Sequence, residues 1–447
     1  MDHVFHRHTK TKYPTAVKGE GCYITDSEGK RYFDACGGAA VSCLGHNNKD
    51  VIDAITKQIN SIAFAHTAFF TNEPMEQLAD FLVDKAPSGI DRVYFFSGGS
   101  EATEAAIKLA VQYFQEIGKP SKTKIIARWQ SYHGNTIGAL SAGGNRWRRK
   151  QFESLLVDMH HISPCYEYRN KKSGETTEEY GLRVANELEA KINELGADNV
   201  AAFIAEPVVG ATMGCVPAVK GYLKRVREIC DKHNVLLILD EVMCGMGRTG
   251  YLFAEEEDGV AADLIAVAKG LGAGYQPIGA LLIAKKIFDA VQNGTGFFQH
   301  GHTYIGHATA CAAALAVQRV IQREHLLDNV KKQGALFKQV LEEQYKDHPF
   351  VGDIRGRGLF VGVEFAQDKA KKTPFDTKLK LNAQLKSAAM AEGLMCYPMG
   401  GTIDGVQGDH VMFAPPFIIS EKDVGEITDR FAKAVKAVFA KIDVKAA

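Results

Sequence analysis

Between residues 93 and 284 the chain repeats one pattern, a short apolar run followed by a longer stretch with helical spacing. The runs fall at 93–96, 124–127, 201–205, 235–240, 264–268 and 279–284. Short continuous apolar runs read as strands covered on both faces, as in a parallel sheet. Helical spacing fills the intervals at 101–117, 180–195 and 218–233. This alternation predicts a large α/β domain around a mostly parallel sheet.

The flanks read differently. Residues 21–34 alternate around a turn at 26–29 and predict a β-hairpin. Helical spacing follows at 49–60 and 74–86, and again at 306–345, which is expected to link two domains. A strand pair at 359–365 and 411–414, with helices at 376–392 and 421–440, predicts a smaller α+β unit that the N-terminal hairpin joins. The chain's 447 residues exceed what one core usually serves, so the expected division is 46–325 for the large domain, and 1–45 with 326–447 for the small one. The polar, charged segment 165–180 reads as a surface excursion.

Lys+Arg and Asp+Glu number 53 each, which gives nucleic acid or an anionic membrane no support as partners and slightly favours self-association. Nine cysteines lie scattered without paired spacing and read as reduced thiols. The start, Met1-Asp2-His3-Val4-Phe5-His6, lacks the apolar core of a signal peptide, and no apolar stretch approaches the ~20 residues of a membrane span. The expectation is a cytoplasmic protein. His3, His6 and His8 read as a solvated terminus rather than a metal site.

The chemistry gathers at the ends of the apolar runs. Lys269 follows Leu264-Ile265-Ala266-Val267-Ala268, and Asp240 follows Leu236-Leu237-Ile238-Leu239. An amine and a carboxylate at buried strand ends are costly unless something pairs with them. Pyridoxal phosphate pairs with both: its aldehyde takes the lysine as a Schiff base and its ring nitrogen takes the aspartate. A lysine freed by an incoming amine can then move a proton as general base and acid. The bland alternatives are a surface lysine and a helix cap. Ser97-Gly98-Gly99-Ser100 stands between a strand and a helix, where exposed N–H groups suit a phosphate or where a plain cap suffices. Tyr132, before His133 and Gly134, could stack on a flat heterocycle or be a core tyrosine. Glu206 ends another apolar run, and Val242 is expected on the same side as Asp240. In His300-Gly301-His302-Thr303-Tyr304-Ile305-Gly306-His307 the absence of an acid argues against a metal, while Thr303 offers a second phosphate donor.

Together these segments resemble the class III aminotransferases, the ω-transaminase branch of fold-type-I pyridoxal phosphate enzymes. The matching stretches are 97–105, 132–136, Glu206-Pro207, 239–250 (LDEVMCGMGRTG), 268–279 (AKGLGAGYQPIG) and 300–307, which with the hairpin, Asp409-His410 and 414–416 cover nearly the whole chain. The resemblance implies a mostly parallel seven-stranded sheet beside a smaller α+β domain. It implies Lys269 as the Schiff-base lysine, Asp240 as the pyridinium partner, and Tyr132 and Val242 on the two ring faces. Gly98, Gly99 and Ser100 would bind phosphate, His133 would join the cofactor contacts, and Glu206 would lie by the cofactor's hydroxyl edge or the substrate. Thr303 would reach the phosphate of the neighbouring subunit, so the active site would be shared within a homodimer, which could pair into a tetramer. Phe69 and Ala40 fall where the family places substrate-pocket residues.

The implied activity moves an amino group from a primary amine or ω-amino acid to a keto acid, with pyruvate expected. Two departures qualify it. Many relatives carry an arginine before the Gly-Asp-His segment, but residues 402–410 hold none, which leaves the acceptor's carboxylate without an assigned cation. Ala39-Ala40 stands where relatives often place a bulky aromatic, so a roomier pocket is expected. A racemase, aminomutase or decarboxylase of the same fold would share Lys269 and Asp240. A non-catalytic binding protein on this scaffold is a further alternative, and a nucleotide-binding oxidoreductase is a weaker one, because no G-x-G-x-x-G follows a first strand.

Overall fold

The computed structural model of the protein describes residues 3–446, the side chains of 443–446 excepted. Met1, Asp2 and Ala447, which the expected small domain includes, lie outside the described residues. The central sheet has seven strands: β1 (Ile90–Phe96), β2 (Lys124–Arg128), β3 (His160–Ile162), β4 (Val200–Ala205), β5 (Leu236–Asp240), β6 (Leu264–Val267) and β7 (Gly279–Ala284). Their spatial order is β1-β7-β6-β5-β4-β2-β3. Six strands run in one direction, and β7 is antiparallel to both its neighbours. Every residue of β4, β5, β6 and β7 is buried, because helices cover both faces. One of these, the helix Gly99–Glu116, turns Ala102, Ala105, Ala106, Leu109, Ala110 and Phe114 inward.

A second apolar core collects the N-terminal ribbon and the C-terminal third, with Phe33, Phe337, Phe365, Phe413 and Phe431 among its members. Its sheet pairs Val351–Arg357, Phe360–Phe365, Asp409–Phe413 and Tyr397–Gly400 antiparallel in that order. The expected helical stretch 306–345 is two helices, Ala308–Arg323 and Leu326–Tyr345, separated at His325, which adopts φ +52°. The expected helix at 376–392 begins later, at Leu381.

The middle of the segment 165–180 lies at the surface as its polarity suggests, with residues 172–174, 176, 178 and 179 exposed, but its ends are anchored. Tyr166 and Tyr180 are buried, and Tyr166 hydroxyl donates to Glu364. Arg169 Nε reaches the other oxygen of that carboxylate at 2.6 Å, and Arg355 approaches at 2.5 Å. Tyr166 and Arg169 thus join a buried ionic knot that ties the start of the segment to the C-terminal sheet. Among the described residues no helix is long and apolar enough to cross a membrane.

Candidate active site

The carboxyl ends of β2, β4, β5 and β6 open on one edge of the sheet, the edge at which open α/β folds place ligands. Asp240 is the last residue of β5 and is 3% exposed. One carboxylate oxygen stands 2.8 Å from Nδ1 of His133, and the other accepts the backbone N–H of Val242 at 3.0 Å. The carboxylate is therefore fixed in orientation. His133 is buried, and its Nε2 has no hydrogen-bond partner among the described residues. Glu206, just beyond β4, accepts the backbone N–H of Tyr132 at 3.0 Å and that of Gly210 at 3.1 Å. Burial pushes its carboxyl pKa up, against the opposing field of His133. With both oxygens held by backbone, Glu206 anchors the segment that carries Tyr132.

Lys269 follows β6 and adopts φ +46°, an uncommon conformation for a residue that carries a Cβ and one that clusters at functional sites. Its amine makes no hydrogen bond or ion pair among the described residues. Burial pulls its pKa from 10.5 down to about 8, and the fields of Asp240 and Glu206 limit the fall. A lysine near neutrality beside two carboxylates is equipped for nucleophilic attack and proton transfer.

At the far end of the cleft, the helix Gly99–Glu116 starts with Gly98 as an extended N-cap that has no side-chain cap. A Cβ at Gly99 would meet Val242 Cγ1 at 2.7 Å, so the helix start and the residue after Asp240 touch only because Gly99 has no side chain. Gly134, at φ +143°, packs its backbone on Ser100, where a Cβ would come 2.7 Å from Oγ, and Asn135 N–H donates to that hydroxyl at 3.1 Å. These contacts bring Tyr132, His133, Ser100, Gly99, Val242, Asp240 and Glu206 together, with the Lys269 amine in the field of the two carboxylates.

Three further residues are expected at the site: Phe69, Thr303 and Ala40. Phe69 is 80% exposed, and Thr303 is also exposed on the single chain. Ala40 is 2% exposed at φ +63° and packs in a cluster with Met243, Met412 and Ala414, with Tyr397 against it. In the histidine-rich loop the His302 ring stacks on Phe96 at 5.4 Å, and among the described residues no cluster of metal-ligating side chains occurs.

One residue of the site was not foreseen. Arg148 lies with its Cζ 4.7 Å from the centroid of the Tyr132 ring. It belongs to the short helix Arg146–Arg149, whose N-cap Asn145 accepts the Arg148 N–H at 3.1 Å. The only sequence signal was three arginines around Trp147 after a glycine pair, a pattern that reads as a basic surface turn.

A family model for class-III aminotransferases matches residues 5–435 of this chain. An uncharacterised aminotransferase of Schizosaccharomyces pombe is 44% identical over 442 residues, spanning 99% of this chain and 96% of that protein. The putrescine–pyruvate aminotransferase of Pseudomonas aeruginosa is 35% identical, spanning 92% of this chain and 88% of that protein. Among solved structures, the ω-transaminase of Pseudomonas jessenii in complex with PMP superposes with a TM-score of 0.92 at 33% identity, over 98% of this chain and 97% of that one.

Proposed function

The chain belongs to the class III aminotransferases, and from that premise we propose that it transfers an amino group from a primary amine or ω-amino acid to pyruvate. Enzymes of this class depend on pyridoxal phosphate. The residues present fit that group: an amine without partners, an oriented carboxylate, an uncapped helix start cleared by Gly99, and an aromatic ring at Tyr132. Bound there, the cofactor supplies an aldehyde that condenses with amines and a pyridinium ring that withdraws electrons.

Every other part belongs to this chain. Lys269 would hold the cofactor and then move a proton at the substrate carbon, which a pKa of about 8 permits near neutral pH. Asp240 would hold the proton on the cofactor's ring nitrogen. His133 orients Asp240. Tyr132 and Val242 would pack on the ring, and Glu206 holds the Tyr132 backbone. Gly98, Gly99 and Ser100 bind phosphate through N–H and hydroxyl groups. Thr303, exposed on the single chain, serves the phosphate of the neighbouring subunit in a homodimer, and Phe69 and Ala40 shape the substrate pocket. The division into 46–325, and 1–45 with 326–447, belongs to the same reading. So does a cytoplasmic location, supported by nine buried, unpaired cysteines.

The observation that carries the reading is the unpartnered Lys269 amine near neutrality, in the field of an Asp240 carboxylate oriented from both sides. The test supplies an amine donor without acceptor, then a panel of keto acids that includes pyruvate and α-ketoglutarate. A transaminase accumulates the pyridoxamine form and discharges it to pyruvate, whereas a racemase, aminomutase or decarboxylase does not accumulate it. No transfer to any keto acid in the panel overturns the proposal.

A further inference from the structure

Arg146, Arg148 and Arg149 share one turn, and two of them are visibly occupied. Arg149 Nη1 donates to the carbonyls of Leu140, Ser141 and Gly143, at 3.2, 2.5 and 2.9 Å, closing the helix Ile137–Ala142. Arg146 lies 4.7 Å over the ring of Trp129. Arg148 rests on aromatic rings, its Cζ 4.7 Å from the centroid of Tyr132 and 6.0 Å from that of Trp147, but its N–H donors are unused. Its guanidinium makes no hydrogen bond or ion pair among the described residues, and its Nε is buried without a partner.

Its surroundings define a place for an anion. The guanidinium rests on Tyr132, the ring expected against the cofactor. Burial pulls its pKa down, the phenols of Tyr132 and Tyr397 favour its charge, and Arg7 opposes it. Its charge in turn helps lower the pKa of Lys269, so the two cations lie within each other's field. The cleft's carboxylates are committed, Glu206 to the N–H groups of Tyr132 and Gly210, and Asp240 to His133 and Val242. The loop 401–408 is seated on the same turn: a Cβ at Gly405 would stand 2.9 Å from the Trp147 nitrogen. That loop's acid, Asp404, is spent on the N–H groups of Val406 and Gln407, at 2.8 and 2.7 Å. A half-buried cation left unpaired is costly, and a planar guanidinium matches a carboxylate with two parallel N–H donors.

We propose that Arg148 binds the carboxylate of the keto acid acceptor, and of the amino acid it becomes, beside Tyr132 and within the cleft of Lys269. The proposal rests on the transaminase reading and names the cation that residues 402–410 do not supply. Arg148 is a specificity residue: it holds the acceptor so that the carbonyl carbon faces the amine, and it takes no part in proton transfer.

The test compares the cofactor-loaded wild type with Arg148→Gln and Arg148→Lys. Calorimetry measures the binding of propionate, an unreactive carboxylate, and half-reactions measure KM for pyruvate and for propanal, which lacks the carboxylate. Loss of a charge-assisted pair should weaken propionate binding in Arg148→Gln about 10- to 100-fold and raise the pyruvate-to-propanal KM ratio by a similar factor. Arg148→Lys, which keeps the charge without the fork, should fall between. Unchanged propionate binding, equal losses for pyruvate and propanal, or a loss of cofactor affinity in place of carboxylate affinity would each overturn the assignment. A wild type that transfers no amino group at all sinks the transaminase reading instead, while the propionate measurement still decides what Arg148 binds.

Discussion

In cofactor-free protein, Lys269 should capture added pyridoxal phosphate with a pH profile set by the cleft and not by lysine itself. Only the neutral amine attacks an aldehyde. With a pKa of about 8 in place of 10.5, about one amine in eleven is neutral at about pH 7, against about three in ten thousand for the ordinary value, a ratio of about 300. The initial rate of capture, followed by visible absorbance, should climb about tenfold per pH unit below about 8 and flatten above it. Asp240 raises the lysine's pKa through its field, so Asp240→Asn should move the inflection to lower pH. The linkage has a definite sign. The folded value lies below the unfolded one, so folded protein binds fewer protons between about 8 and 10.5, and its stability rises across that window. A rate that keeps climbing to about pH 10, or an inflection that moves upward in Asp240→Asn, would refute the desolvated-lysine account.

Two further outcomes follow from packing. Gly99→Ala places a methyl 2.7 Å from Val242 Cγ1; it should cost about 1–3 kcal/mol of overpacking and weaken cofactor binding at least ~10-fold, measured by equilibrium dialysis against wild type. Glu364→Gln strips the charge from a carboxylate 2.6 Å from Arg169 and 2.5 Å from Arg355, and denaturant unfolding should show a loss of about 3–5 kcal/mol. Burial alone would raise the Glu364 pKa, but Arg355 and Arg169 hold it below the usual carboxylate value. Its stabilisation is therefore present above the unfolded pKa near 4.5 and fades as pH falls through the folded value, so the variant's deficit should shrink in acid.

The central sheet was legible because β4, β5, β6 and β7 are buried on both faces and so read as unbroken apolar runs. Asp240 and Lys269 stood out for the same reason, as charges at the ends of those runs. Strand β3 did not, because its three residues include His160 and His161 at a sheet edge. The strand Val351–Arg357 was hidden by Asp353, Arg355 and Arg357, whose charges are spent in ion pairs that pattern alone does not reveal. Arg355 and Glu364 pair within that knot, and Tyr166, far away in sequence, completes it. His133 was flagged by its neighbour Tyr132, but its partner Asp240 lies 107 residues away. Arg148 was invisible because what marks it, a guanidinium seated on Tyr132 with no acceptor for its N–H groups among the described residues, exists only in three dimensions.

The most direct measurement reduces the cofactor-loaded protein with borohydride and maps the labelled peptide. The expected result is one modified lysine, at position 269, with Lys269→Ala unlabelled. A label on another residue, or equal labelling of the alanine variant, would contradict the assignment of Lys269 and the mechanism built on it.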